Sequence, residues 1–157
     1  MRERIGSLLV TTVGVARNLL ADLRAGGLFG GEFLRQDDSP ENSYRGSSDH
    51  LALRQIFDGR VRPDDVLVDV GCGAGRVIAV WRQMFPTQRV IGIELNVALA
   101  ERVRRRFRGS ALVEIVTGDA AANLPEGTLF YLFNPIDRAG IIELEARLHR
   151  MALADPR

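Results

Sequence analysis

VLVDVGCGAGRVIAVW, residues 66–81, decides the fold. Five mostly apolar residues run into Gly71, Gly73 and Gly75, and the sequence then turns amphipathic. Glycine within regular structure costs about 0.5–1 kcal/mol relative to alanine. Three of them where an apolar run stops therefore mark backbone that something else must approach. Gly71 permits a tight turn, and Gly73 lets a ligand meet the backbone without a Cβ in the way. Gly75 lets the next helix start close to the strand, its N–H groups and positive dipole end facing the same point.

Outward from this stretch, two kinds of periodicity alternate. Strands are expected at Val66–Val70, Val90–Glu94, Leu112–Val116 and Thr128–Phe133, and helices at Arg76–Phe85, Ala98–Arg108 and Ala139–Met151. Continuous apolar strands are buried on both faces, as in a parallel sheet. Their alternation with helices predicts an α/β fold: a doubly wound, mainly parallel Rossmann-like sheet with flanking helices. No fifth strand follows the last helix, so "TLFYLF" (128–133) is expected to be an apolar edge strand. A truncated domain, a second copy or another partner covering that edge would account for it.

Upstream, Ile5, Leu8, Leu9, Ala16, Leu19, Leu20 and Leu23 recur at helical spacing, which predicts an amphipathic helix ending at Gly26-Gly27 rather than a secretion signal. Its apolar side could meet the domain, a partner or a membrane surface. A Gly-, Ser- and Asp-rich loop follows. Ser47 or Ser48 is then expected to cap a helix through "DHLALRQIFDG", with Leu51, Leu53 and Ile56 or Phe57 on its buried side. The predicted organisation is an N-terminal helix and loop over 1–43 and a cofactor-binding domain over 44–157.

Composition narrows the chemistry. The chain has 157 residues, 46% of them hydrophobic, and a net charge of +1, so charge implies neither nucleic acid nor membrane as a partner. All 21 basic residues are arginine, which excludes a Schiff-base or P-loop lysine. One cysteine and two histidines, His50 and His149, give no basis for a disulfide or a metal site, and they suit a reducing cytoplasm. No apolar run is long enough to span a bilayer.

The spacing of the glycines separates the possible ligands. G-x-G-x-x-G of dinucleotide-binding folds would need glycine where Arg76 stands. The motif written is G-x-G-x-G, with Asp69 two positions ahead. A buried carboxylate there needs donors or a cation. Glu94 ends the second strand about twenty residues on, where a carboxylate accepts ribose hydroxyls. Asp119 follows the third strand and Asn134-Pro135 the fourth, so four strand ends carry polar or glycine-rich elements on one sheet edge.

"VDVGCGAGR", "IGIE", "TGDA" and "LFNP" resemble the consecutive motifs of class I S-adenosylmethionine-dependent methyltransferases, over Tyr44 to Pro135. The resemblance implies S-adenosyl-L-methionine as cofactor. It implies that Asp69, Gly71 and Gly73 line the methionine portion, Glu94 the ribose, and Asp119 with the Ala120 backbone the adenine, with Cys72 and Gly75 also at the cofactor. Asn134 would sit beside the methyl group. "NSYRGSSDHLALRQIF" is similar to the cofactor-capping region of the Dot1-like lysine methyltransferases, which points to Tyr44 and Ser47. Ile136 and Asp137 depart from the motif of enzymes that modify adenine and glutamine.

Methyl transfer from a sulfonium needs alignment of acceptor and donor more than a catalytic triad. A general base is required only for an acceptor that arrives protonated. Tyr44 and Asp137 are the candidates, and each also has a plain surface or capping reading. Cys72 is a small loop residue whose place at a helix start could lower its pKa. Trp81 and Phe85 are expected in the core. Arg102, Arg104, Arg105, Arg106 and Arg108 encircle one helix and read as a solvated surface rather than a nucleic-acid site. The expected function is methyl transfer to an unidentified acceptor, a small molecule or a protein side chain. The alternative is a non-catalytic module that binds cofactor or a partner, and a NAD-dependent oxidoreductase stands third.

Overall fold

The computed structural model describes residues 15–27, 29, 48–133 and 138–154. A helix over residues 15–24 (α1) comes first. It is followed by α2 (His50–Phe57), β1 (Val66–Val70), α3 (Arg76–Met84), β2 (Arg89–Glu94), α4 (Val97–Phe107), β3 (Val113–Thr117), β4 (Leu129–Leu132) and α5 (Arg138–Ala154). The alternating strands and helices match the sequence expectation closely, with α5 running on to Ala154.

The four strands are all parallel, in the order β3-β2-β1-β4. The chain moves outward from β1 through β2 to β3, then returns across β1 to lay β4 on its other side. That reversal makes the carboxyl ends of β1 and β4 a topological switch point, where open α/β sheets bind ligands. The register sets Asp69 between Gly92 of β2 and Tyr131 of β4. Among the described residues β4 lies at the edge of the sheet, and its four residues are half-buried.

Each sheet face has its own core. One side packs Leu67 and Ile115 against Leu53, Phe57, Ile78 and Trp81 from α2 and α3. The other packs Val68, Val70, Ile91 and Ile93 against Leu124 and Leu144. Alternation along β1 therefore turns Asp69 to the α3 side, with Leu67. Trp81 is fully buried and meets Phe57 and Tyr131 edge to face, at centroid distances of 5.1 and 6.3 Å.

The α2 helix differs from expectation in its cap and in what it buries, and α1 shows which of its sides meets the domain. Asp49, not Ser47 or Ser48, caps α2, accepting from Leu51 N–H and Ala52 N–H. Such a cap is worth about 1 kcal/mol. The cap sets the rotation of α2 so that His50, Leu53 and Phe57 face inward, while Leu51 and Ile56 are exposed. In α1, Leu19, Leu20 and Leu23 are exposed and the buried residue is Asp22. The helix docks by its polar side: Arg17 and Asn18 both donate to the Asp49 carboxylate, and His50 N–H donates to Asn18 Oδ1. Burial would raise the Asp49 carboxyl, but the Ala52 N–H and the Arg17 and Asn18 side chains hold it down at about 2. Residues 5–14 of the expected helix lie outside the described residues. Among the described residues no helix is long and apolar enough to cross a membrane.

Candidate functional site

The glycine loop forms at the carboxyl end of β1 because its backbone is bent where only glycine is at ease. Gly71, Gly73 and Gly75 have φ of +73°, +51° and +86°, in the left-handed region that costs other residues about 1–2 kcal/mol. Gly71 N–H and Cys72 N–H both donate to Ile93 O, at 2.9 and 3.0 Å, which lays the loop over the end of β2. Space divides the glycines by role. A Cβ on Gly75 would meet Val103 at 3.0 Å and Phe107 at 3.1 Å, so its missing side chain lets α4 close in. A Cβ on Gly73 would meet nothing nearer than Gly71 O at 4.0 Å, so its missing side chain leaves the site side open. Gly92 of "IGIE" is explained by the same loop: a Cβ there would lie 3.0 Å from Cys72 Sγ and 2.7 Å from Ile78.

Beneath the loop lies Asp69, 2% exposed, with its Oδ2 buried and without a hydrogen-bond partner among the described residues. Burial, and then the nearby Glu94 charge, push its carboxyl up to about 8. Glu94 closes the other side, where Oε2 accepts from Gly73 N–H at 2.8 Å and Oε1 from Asn96 N–H at 2.9 Å. Two backbone donors therefore fix the carboxylate, and each oxygen retains a further lone pair for an incoming hydroxyl. Asp119 is exposed at the end of β3 and accepts from Ala121 N–H through Oδ1, while Ala120 is buried beside it. Gly118 N–H donates to Glu94 O at 3.0 Å, so the β2 and β3 ends move as one edge. Asp69, the glycines, Glu94 and Asp119 thus share the carboxyl edge of the sheet. Tyr44, Ser47 and Asn134 lie outside the described residues.

Cys72 departs from its expected chemistry. It is buried, and burial together with the Asp69 and Glu94 charges raises its thiol well above the ordinary value. The helix-start effect that would lower it is overwhelmed by burial first, and then by two neighbouring carboxyls.

Three features of the site escape a reading of motifs. Tyr131 on β4 reaches the switch point beside Asp69 and shares a 2.8 Å hydrogen bond with Ser48. Burial, followed by the Asp69 charge, raises its hydroxyl, against the bond from Ser48. Leu95, directly after Glu94, is 67% exposed and offers an apolar surface at the end of β2. The third feature is an ion cluster behind the loop. Asp22 of α1 is fully buried and accepts from Arg76 Nε at 2.9 Å and Arg76 Nη2 at 2.7 Å. His50 Nε2 lies 2.6 Å from its Oδ1, and Phe29 N–H donates to Oδ2 at 3.1 Å. Burial would raise Asp22, but these hydrogen bonds, Arg76 first, bring it below the ordinary carboxylate range. An ionised carboxylate only accepts, so His50 carries its proton on Nε2. His50, at the start of α2, is therefore a member of this buried cluster. The signal in the sequence is Arg76 itself, a charge on the buried face of "RVIAVW".

Residues 67–134 match the family model described as a methyltransferase domain. A protein-lysine N-methyltransferase of Saccharolobus islandicus (strain REY15A) is 31% identical over 65 residues, which are 41% of this chain and 38% of that protein. The 4-amino-L-phenylalanine/4-methylamino-L-phenylalanine methyltransferase of Streptomyces pristinaespiralis is 35% identical over 78 residues, 50% of this chain and 26% of that one. The chain thus spans 38% and 26% of the length of these curated relatives. Among solved structures, the mitomycin 7-O-methyltransferase superposes with a TM-score of 0.54 at 20% identity, over 65% of this chain and 32% of that one. It shares the fold.

Proposed function

We propose that this chain, whose residues 67–134 match a methyltransferase-domain family model, binds S-adenosyl-L-methionine as methyl donor in the manner of the class I enzymes and transfers its methyl group to a small molecule or a protein side chain. The observation that carries this reading is the buried Asp69 Oδ2, without a partner among the described residues, beneath an open Gly73. A buried carboxyl oxygen of this kind calls for a cationic or donor group, and the amino group of the methionine portion supplies one. Gly71, Cys72, Gly73 and Gly75 would line that portion by their backbone, and Glu94 would take the ribose hydroxyls. Asp119 with Ala120 would meet the adenine, and exposed Leu95 would lie against its face. In the same reading Asn134 sits beside the reacting methyl, and Tyr44 and Ser47 cap the cofactor as the Dot1-like resemblance suggests.

When bound, the sulfonium cofactor supplies an activated methyl group with a neutral thioether as leaving group. The chain's own part is alignment: a carboxylate fixed at Glu94 and a loop held by its backbone hydrogen bonds. Alignment of this kind accounts for many orders of magnitude in rate without an acid–base triad. A second copy or a further strand against β4 and a cytoplasmic location belong to this reading.

Calorimetric titration with S-adenosylhomocysteine and with NAD tests the site. Binding of the first alone supports it, and binding of neither overturns it. A transfer assay with radiolabelled methyl donor, against a lysine peptide and an arylamine, tests the activity. Cofactor binding with no transfer to either, or to a wider acceptor panel, would instead identify a cofactor-holding module.

A further inference from the structure

The glycine loop is gripped from outside by two arginines. Arg76, the first residue of α3, is 7% exposed and spends its guanidinium on Asp22 and on Ser48 O. Arg106 of α4 donates to Ala74 O at 2.7 Å, inside the loop, and its guanidinium stacks over Phe29 at 4.2 Å. Asp22 and Phe29 both belong to the N-terminal arm, and they are joined to each other by the Phe29 N–H. Phe29 is itself 1% exposed. Neither contact is needed to build a β1–α3 turn, which the backbone hydrogen bonds of the loop already close.

Asp22 accepts four hydrogen bonds, two on each oxygen, which saturates a carboxylate. A buried charge is tolerated only when paired and fully bonded, so the cluster has one arrangement in which it is stable. That arrangement requires the arm docked and Arg76 in place together. We infer that the N-terminal arm is a positioning clamp on the cofactor loop: Asp22 fixes Arg76 and Phe29 fixes Arg106, so arm docking and cofactor binding reinforce each other. The inference rests on the reading of the glycine loop as a cofactor site. Coupling between two such equilibria is reciprocal. Cofactor therefore tightens the arm as much as the arm tightens the loop.

The test uses the full chain, S-adenosylhomocysteine as probe, and amide hydrogen exchange. In the wild type, ligand slows exchange both in residues 71–76 and in 22–29. Asp22→Asn weakens binding by about ten-fold, within the usual range for coupled sites. It speeds ligand-free exchange in 71–76 while β2 and β3 stay protected, and it abolishes the ligand effect on 22–29. A purely structural role would lower the melting temperature without changing the affinity or the ligand effect on the arm. A folded Asp22→Asn with wild-type affinity and unchanged loop exchange overturns the clamp. Should Asp22→Asn not fold, Phe29→Leu, which removes the ring beneath Arg106, is read in the same way. If the wild type binds no S-adenosylhomocysteine, the cofactor reading fails, and ligand-free exchange in 71–76 still decides the clamp.

Discussion

The Glu94 carboxylate accepts a hydrogen bond from Gly73 N–H at 2.8 Å, which ties the end of β2 to the middle of the glycine loop. The same side chain accepts from Asn96 N–H, ahead of α4. One carboxylate therefore sets the distance between three elements. Glu94→Ala is expected to weaken S-adenosylhomocysteine binding by about 1–3 kcal/mol, the cost of lost charged hydrogen bonds. Calorimetry reads this directly. Unchanged affinity would remove Glu94 from the site.

Asp69 makes stability depend on pH in an unusual direction. Its carboxyl is raised from 3.8 to about 8 in the folded chain. Between those values the folded state holds a proton that the unfolded state has lost. Stability therefore falls as pH rises from about 4 to about 8 and levels off above that. Asp69→Asn should match the wild type in melting temperature near pH 4 and exceed it by several degrees near pH 8. A parallel pH profile for the two proteins would contradict the burial of this group.

Cofactor binding should reverse that protonation. Pairing with an ammonium group favours the carboxylate, so binding at neutral pH is expected to release a proton from Asp69. Titrations in phosphate and in Tris would then give different apparent enthalpies, and Asp69→Asn would remove the difference. Equal enthalpies for the wild type would separate Asp69 from the amino group.

Alanine at two glycines should give opposite results. Gly75→Ala places a Cβ 3.0 Å from Val103 at a φ of +86°, and should cost about 1–3 kcal/mol of stability in urea denaturation. Gly73→Ala meets open space and should cost about 1 kcal/mol. It should nonetheless lose most cofactor affinity, because the new methyl stands where the ligand would lie. Equal effects on stability and binding at both positions would contradict this division.

Cys72 should be inert in the folded chain. Burial and two carboxyls raise its thiol, and only the thiolate reacts readily. Alkylation by iodoacetamide at pH 8 is expected to be slow until denaturant is added. Fast native labelling would mean that the loop opens far more than its hydrogen bonds allow.

The sheet was legible because apolar runs bounded by Gly, Pro and Asp leave few other ways to bury both faces. Asp69 and Glu94 were legible because a strand end, a glycine loop and a spacing of about twenty residues fix their edge. The Asp22–Arg76–His50 cluster was not. Its members lie up to 54 residues apart, and each has a bland local reading as helix surface, helix start or missing glycine. Leu19, Leu20 and Leu23 could not say what their helix packs on, for a related reason. Periodicity says which residues share a face of a helix, while the buried partner decides which face meets the domain, and here that partner is a charge. The caps of α2 followed the same logic, since Asp49 outcompetes the neighbouring serines by also receiving Arg17 and Asn18.

The strand order carries a consequence for synthesis. β1 lies inside the sheet, yet one of its two neighbours is β4, and the Val66 N–H waits for Thr128 Oγ1, 62 residues later. While the chain emerges from the ribosome, β1 can pair with β2 and β2 with β3, but one full edge of β1, buried over Leu67 to Val70, stays open until β4 appears. Closing such distant pairs is slow, and unpaired edges invite association. Nascent chains that stop before residue 128 should therefore be the aggregation-prone species, and the arrival of four residues, Leu129 to Leu132, the event that ends their exposure.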